Sequence, residues 1–326
     1  MCGVSPLIYF DSMEYLILLA SLAGIVFGAD FLVGGSVSVA RKYGVSDFVV
    51  GAVIVGMGTS MPEFVVSFIG ALNGNADVAV GNVVGSNIFN VMGILGLTAL
   101  FFPVAVDKRN MKFELPFCLC VSILLTLLAL NFFNGAAPSI GRADGVLLLL
   151  AFAAFMCFSF IRDRKNPVAV DGETVKAPLW LSVVKIVGGL ALLITSCDLF
   201  VDNAVAIAKT FGVSDAFISL TLIACGTSLP ELAASIAAAV KKNTDMALGN
   251  IIGSNIFNIT FILGLSSMVM PLTSSGISNV DYAVMIAAAL LPLLFGMKRR
   301  VGRVDGALLI VCFIIYNWYL VTNQIS

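Results

Sequence analysis

The sequence predicts an all-α polytopic membrane protein, with ten transmembrane helices forming two inverted five-helix repeats and broken helices at an ion site. Three observations carry this. Of 326 residues, 60% are hydrophobic and 11% charged, where a soluble domain has about 25% charged residues. Apolar runs of about 20 residues, long enough to cross a bilayer, recur along the whole length. One stretch also occurs twice: GMGTSMPEFVVSFIGALNGNADVAVGNVVGSNIFN from Gly56 to Asn90, and ACGTSLPELAASIAAAVKKNTDMALGNIIGSNIFN from Ala224 to Asn258. The offset is 168 residues and holds without a gap from Asp30/Asp198 to Gly96/Gly264.

Taken in order, the spans fall at about 14–40, 47–73, 77–102, 113–134 and 143–161, then 179–208, 215–241, 245–271, 280–297 and 304–322. The first repeat thus occupies residues 1–161 and the second 179–326, joined by a charged cytoplasmic linker at 162–178 that is too polar for the bilayer. Five spans per half is an odd number, so a direct sequence repeat becomes an inverted structural one. Spans one and six are longer than a crossing needs and are expected to tilt. Each carries an aligned acid, Asp30 and Asp198, read as polar residues satisfied near a helix end or by a neighbouring helix. Asp144 and Asp305 begin spans five and ten, and Asp77 and Asp245 begin three and eight, where a negative charge favours a helix N-terminus. With the N-terminus outside, 15 of the 18 Lys and Arg residues fall on the inner side. That bias predicts both termini outside, in a multi-pass protein of the cell membrane.

Several classes are excluded. A net charge of −1 names no partner, and the loops are too short for a nucleic-acid or catalytic domain. There is no histidine, so an intramembrane serine protease would lack its base, and Asp30 and Asp198 show no aspartyl-protease motif. The seven cysteines are odd in number and lie mostly in apolar runs, which suits packing rather than a disulfide framework. The first residues lack a basic n-region, so no cleavable signal peptide is expected. The expected partners are the lipid bilayer and the transported ions, with no nucleic acid, protein partner, cofactor or catalytic residue.

The duplicated stretch carries the chemistry. In Gly56-Met57-Gly58-Thr59-Ser60-Met61-Pro62-Glu63 the glycines weaken the helix and Pro62 removes a donor. Proline suits the first turn of a new helix, capped by Ser60 or Thr59. Span two should therefore be two half-helices, with carbonyls freed at the break and the Glu63 carboxylate beside them. On span three, Ser86 and Asn90 are four apart and share a face, with Asn82 on it too. Asn87 lies off that face and reads as a tertiary hydrogen bond. Symmetry supplies Thr227, Ser228, Glu231, Ser254 and Asn258. Carboxylates, hydroxyls, amides and carbonyls are hard oxygen donors, favouring Ca2+, Na+ or Mg2+, and a dry cage favours Ca2+ over the reluctantly dehydrated Mg2+. Each buried carboxylate costs about 2.5–3.5 kcal/mol at the bilayer centre. One Ca2+ or several Na+ would neutralise the pair, and sharing one site between them is a simple route to exchange. Two acids against three Na+ imply an electrogenic cycle.

At these residues the chain resembles the cation/Ca2+ exchanger superfamily, in particular the prokaryotic sodium/calcium exchangers: GTSMPE with GSNIFN, and GTSLPE with GSNIFN, look like its two alpha repeats. The resemblance implies a Na+/Ca2+ antiporter whose central Ca2+ is held by Glu63 and Glu231. It implies flanking Na+ positions at Thr59, Ser60, Ser86, Thr227, Ser228 and Ser254 with backbone carbonyls, and the family's Asn or Asp position at Asn90 and Asn258. It also implies that spans one and six are the moving pair. Some relatives carry Asp where this chain has Asn258, which argues against K+ co-transport. The proton-coupled branch typically uses GNxxEH, absent here, although a glutamate can itself carry a proton. The alternative is therefore a Ca2+/H+ antiporter.

Overall fold

The computed structural model describes residues 12–131, 139–165, 178–210, 224–273 and 276–325. Among the described residues the regular structure is helical, apart from two short ribbons. Helix α1 runs Ser12–Tyr43. It is followed by α2 (Asp47–Thr59), α3 (Met61–Leu72), α4 (Ala76–Phe101) and α5 (Asn110–Ala129), and by α6 (Arg142–Lys165). The second half contains α7 (Leu179–Thr210), α8 (Leu229–Val240), α9 (Thr244–Val269), α10 (Asn279–Gly296) and α11 (Arg303–Ile325).

Among the described residues, eight helices are long and apolar enough to cross a membrane, and α2 with α3 make a ninth if the bent pair is one span. The expected seventh span, 215–241, is represented by α8 and the short helical turn Ala224–Gly226 before it. Residues 211–223 lie outside the described residues, so the described helices do not by themselves reach ten.

The centre of the molecule is α4 and α9. In their apolar stretches 78% and 83% of residues are buried, against 11–33% for the other spanning helices. These helices are rich in Gly, Ser and Asn, which lets neighbours approach closely and hydrogen-bond. A Cβ on Gly253 of α9 would meet the Ala52 backbone of α2, so only glycine permits that contact. The same device joins α1 to α7: a Cβ on Gly189 would come within 2.6 Å of Leu32 N, and one on Gly28 within 2.7 Å of Leu193 N. These two helices, 32 residues each as their long apolar runs suggest, lie along one another and expose much of their surface, including Leu16, Leu19, Val183 and Val187.

Between helices, β1 (Val104–Ala105) pairs antiparallel with β4 (Arg300–Val301), and β2 (Ser139–Ile140) with β3 (Leu272–Thr273). Val104 and Leu272 are related by the 168-residue offset, so each ribbon joins a strand of one copy to a strand of the other. A buried polar tie fastens α2 to α5 and α6: Asp163 accepts from Ser46 N at 2.8 Å and from Ser46 Oγ, and Arg109 reaches both residues. Two of the acids that begin helices close their own helix starts as expected: Asp144 accepts from Gly141 N at 2.7 Å and Asp305 from Gly302 N at 2.9 Å. Asp77 instead accepts from Gly276 N of the second copy, and Asp245 Oδ1 is buried without a partner. Asp30 is satisfied by a neighbouring helix end, through an ion pair of 2.7 Å with Lys241.

Candidate functional site

The duplicated motif places its acids at helix starts. The α2–α3 pair bends by 50° at Ser60, where Pro62 sits in the first turn of α3, and Pro230 begins α8 in the same way. Ser60 or Thr59 is expected to cap α3, but neither side chain does, and Ser228 does not cap α8 either. The backbone of Ser60 and Ser228 (φ −80°, ψ 12° and φ −93°, ψ 7°) is not the extended conformation of a capping residue. Each hydroxyl instead crosses to the other copy. Ser60 Oγ donates to Glu231 Oε1 at 2.8 Å, and Ser228 Oγ donates to Glu63 Oε1 at 2.7 Å. A hydrogen bond to a carboxylate is about twice as strong as a neutral one.

Glu63 and Glu231 are fully buried, and each keeps an Oε2 without a partner. Among the described residues neither acid forms an ion pair with a basic side chain. Asn90 Oδ1 and Asn258 Oδ1 are likewise buried without a partner. The turns carrying these amides, Phe89–Leu95 and Asn258–Ile262, are widened to π-helix, a distortion often found at functional sites. α8 packs on the first of these turns and α3 on the second, so each acid-bearing helix abuts the widened turn of the opposite copy. Among the described residues no cluster of three or more Asp, Glu, Cys or His side chains forms. A cation would therefore meet two carboxylates supplemented by amide oxygens, a donor set suited to Ca2+ or Na+.

The remaining candidates divide. Thr227 is half-buried in the turn just before Ser228. Thr59 Oγ1 faces Gly56 O and Asn250 Oδ1, each at 3.3 Å, and Ser254 Oγ donates to Gly56 O at 3.1 Å. The Gly56 carbonyl, beside the expected break, is thus satisfied by protein: it keeps its main-chain bond from Ser60 N at 3.0 Å and accepts from Ser254 as well. Ser86 is buried on α4, one turn before Asn90. Asn82 supports the site from behind: its Nδ2 donates to Glu63 O at 3.1 Å and to Ser67 Oγ at 2.9 Å. Asn250 does the same for Glu231 O at 3.0 Å and Ser235 Oγ at 2.8 Å. Ser67 and Ser235 were missed by motif reading, yet each follows its acid by four residues in both copies.

The family model described as sodium/calcium exchanger protein matches residues 13–161 and 181–322. The chain belongs to the sodium/calcium exchanger family. A protein of Alkalimonas amylolytica named CaxA is 41% identical over 317 residues, covering 94% of this chain and 98% of that protein. The sodium/calcium exchanger MaX1 of Methanosarcina acetivorans is 30% identical, covering 95% of this chain and 99% of MaX1. A structure of the sodium-calcium exchanger NCX_Mj soaked with zero Na+ and Ca2+ superposes with a TM-score of 0.82 at 33% identity, covering 95% of this chain and 99% of that one. This exchanger is therefore a multi-pass membrane transporter of the cation and Ca2+ exchange class.

Proposed function

We propose that this exchanger is a Na+/Ca2+ antiporter working by alternating access, with Glu63 and Glu231 as the central ligands for Ca2+ and with Na+ competing for the same oxygens. One observation carries the reading: two fully buried carboxylates, each with an unpartnered oxygen, sit on helices packed against the widened turns that carry two unpartnered amide oxygens, and among the described residues neither acid forms an ion pair with a basic side chain. Burying two like charges is expensive unless they are compensated. A transported cation compensates them and is released when the other ion takes its place. Ser60 and Ser228 orient the carboxylates, while Thr59, Thr227, Ser86 and Ser254 are candidate Na+ positions with backbone carbonyls.

The ten-span inverted arrangement belongs to the same proposal. It is supported by the 168-residue repeat and by contacts that exchange between copies, Ser60–Glu231 with Ser228–Glu63 and one ribbon with the other. Helices α1 and α7, joined through glycines and exposed to lipid, are the pair that moves against the rest. Both termini lie outside the cell membrane, following the basic residues. With two fixed acids, a Ca2+ load is neutral and a load of three Na+ carries a net charge of +1, so the cycle is electrogenic.

The test is radiocalcium uptake into proteoliposomes. An outward Na+ gradient should drive uptake, and a valinomycin-imposed potential should change its rate. Uptake driven equally well by a proton gradient with Na+ absent would identify a Ca2+/H+ antiporter instead, and indifference to the potential would make the exchange electroneutral.

A further inference from the structure

Asn87 and Asn255 occupy the same position in the two copies, are 2% and 3% exposed, and face each other. Asn87 Nδ2 donates to Asn255 O at 3.3 Å, and Asn255 Nδ2 donates to Asn87 O at 3.2 Å. A backbone carbonyl can only accept. Each amide must therefore turn its NH2 toward the opposite backbone and its Oδ1 the other way. Those two oxygens accept in turn: Asn258 Nδ2 donates to Asn87 Oδ1 at 3.3 Å, and Asn90 Nδ2 donates to Asn255 Oδ1 at 3.0 Å. With their NH2 groups held, Asn258 and Asn90 keep Oδ1 as the atom without a protein partner.

We propose that Asn87 and Asn255 are positioning residues for cation binding: each fixes the amide orientation of a site asparagine in the opposite copy, so that the site receives an oxygen and not an NH2. This rests on the site reading above. An asparagine side chain has nearly the same shape in either orientation, but only its oxygen binds a cation. Flipping Asn258 would set its oxygen against Asn87 Oδ1 and turn a donor toward the ion. The relay starts from a group that cannot change role, the main-chain carbonyl, and so selects one orientation without touching the ion. It also runs between copies: Asn87 governs Asn258, 171 residues away, and not Asn90 on its own helix.

A double-mutant cycle on radiocalcium binding to the purified full chain tests this. Asn87→Ala should weaken Ca2+ binding about five- to tenfold, the worth of about one orienting hydrogen bond. In an Asn258→Ala background Asn87→Ala should cost nothing further, whereas its effect should multiply with that of Asn90→Ala. Asn255→Ala should mirror this, silent behind Asn90→Ala and multiplicative with Asn258→Ala, so a misfolded variant in one relay leaves the other to read. Full multiplication of the Asn87→Ala and Asn258→Ala effects, or an Asn87→Ala protein with parental affinity, overturns the positioning role. Parental affinity in both Asn90→Ala and Asn258→Ala overturns the site reading itself, a separate outcome.

Discussion

Replacing Glu63 by Gln keeps the shape of the side chain and removes one of two buried charges. At a Ca2+–oxygen separation of about 2.4 Å and an effective dielectric of about 20, the lost attraction is about 7 kcal/mol per unit of cation charge. For a divalent ion it is about 14 kcal/mol. Much of this is offset, because the carboxylate's desolvation penalty, several kcal/mol, disappears with the charge, as does its repulsion by Glu231. The amide oxygen also remains a ligand, and Ser228 can still donate to it from its present position. A net loss of about 4 kcal/mol for Ca2+ is a conservative remainder, about a thousandfold in Kd. A single Na+ should lose about half that energy, about thirtyfold. Glu231→Gln should behave alike, since Ser60 stands to Glu231 as Ser228 does to Glu63. Calorimetric titration of Ca2+ and Na+ into purified parent and variants reads both ratios. A Glu63→Gln protein that binds Ca2+ within threefold of the parent, or that loses Na+ more than Ca2+, would refute the reasoning.

Three further outcomes are expected. Ser60→Ala and Ser228→Ala each delete a charge-assisted hydrogen bond worth about 1.5–3 kcal/mol, so the Ca2+ KM for uptake should rise by at least about tenfold in both; a change in one variant alone would break the exchange of roles between copies. Lys241 pairs with Asp30 across α1 and α8, whereas the aligned residue in the first copy is Asn73. Lys241→Asn should release a partly exposed pair worth about 0.2–1 kcal/mol, shifting the conformational balance up to about fivefold in single-molecule distance measurements between labelled α1 and α8, and an unchanged distribution would leave the pair without a conformational role. For orientation, a cysteine introduced at Asn75 should label from outside and one at Lys108 from inside, and the reverse pattern would overturn the topology.

The helices were legible because apolar length and the 168-residue repeat are properties of the chain itself. The acids were legible for a related reason: a glutamate beside a Gly-Thr-Ser break, present twice, is too expensive in lipid to be incidental. Partnership between halves was harder to see. Ser60 reads locally as a cap, and only the fold brings Glu231 within reach of its hydroxyl. Thr59 and Ser254 share a motif with the acids but turn to Gly56, because helical periodicity gives a face and not the neighbour that fills it. Asn87 was read correctly as a tertiary hydrogen bond, and its position off the Ser86–Asn90 face is what lets it meet Asn255. The Asp30–Lys241 pair was invisible in sequence, since its members lie 211 residues apart and the repeat does not preserve the lysine.

The most direct measurement is equilibrium radiocalcium binding to the purified exchanger with Na+ as competitor. If both ions use the oxygens of Glu63 and Glu231, one Ca2+ should bind per chain. Na+ should then displace it completely, with a Hill coefficient above one and no loss of Ca2+ capacity once Ca2+ is raised again. Calcium that stays bound in saturating Na+ would contradict a shared site and place the two ions apart.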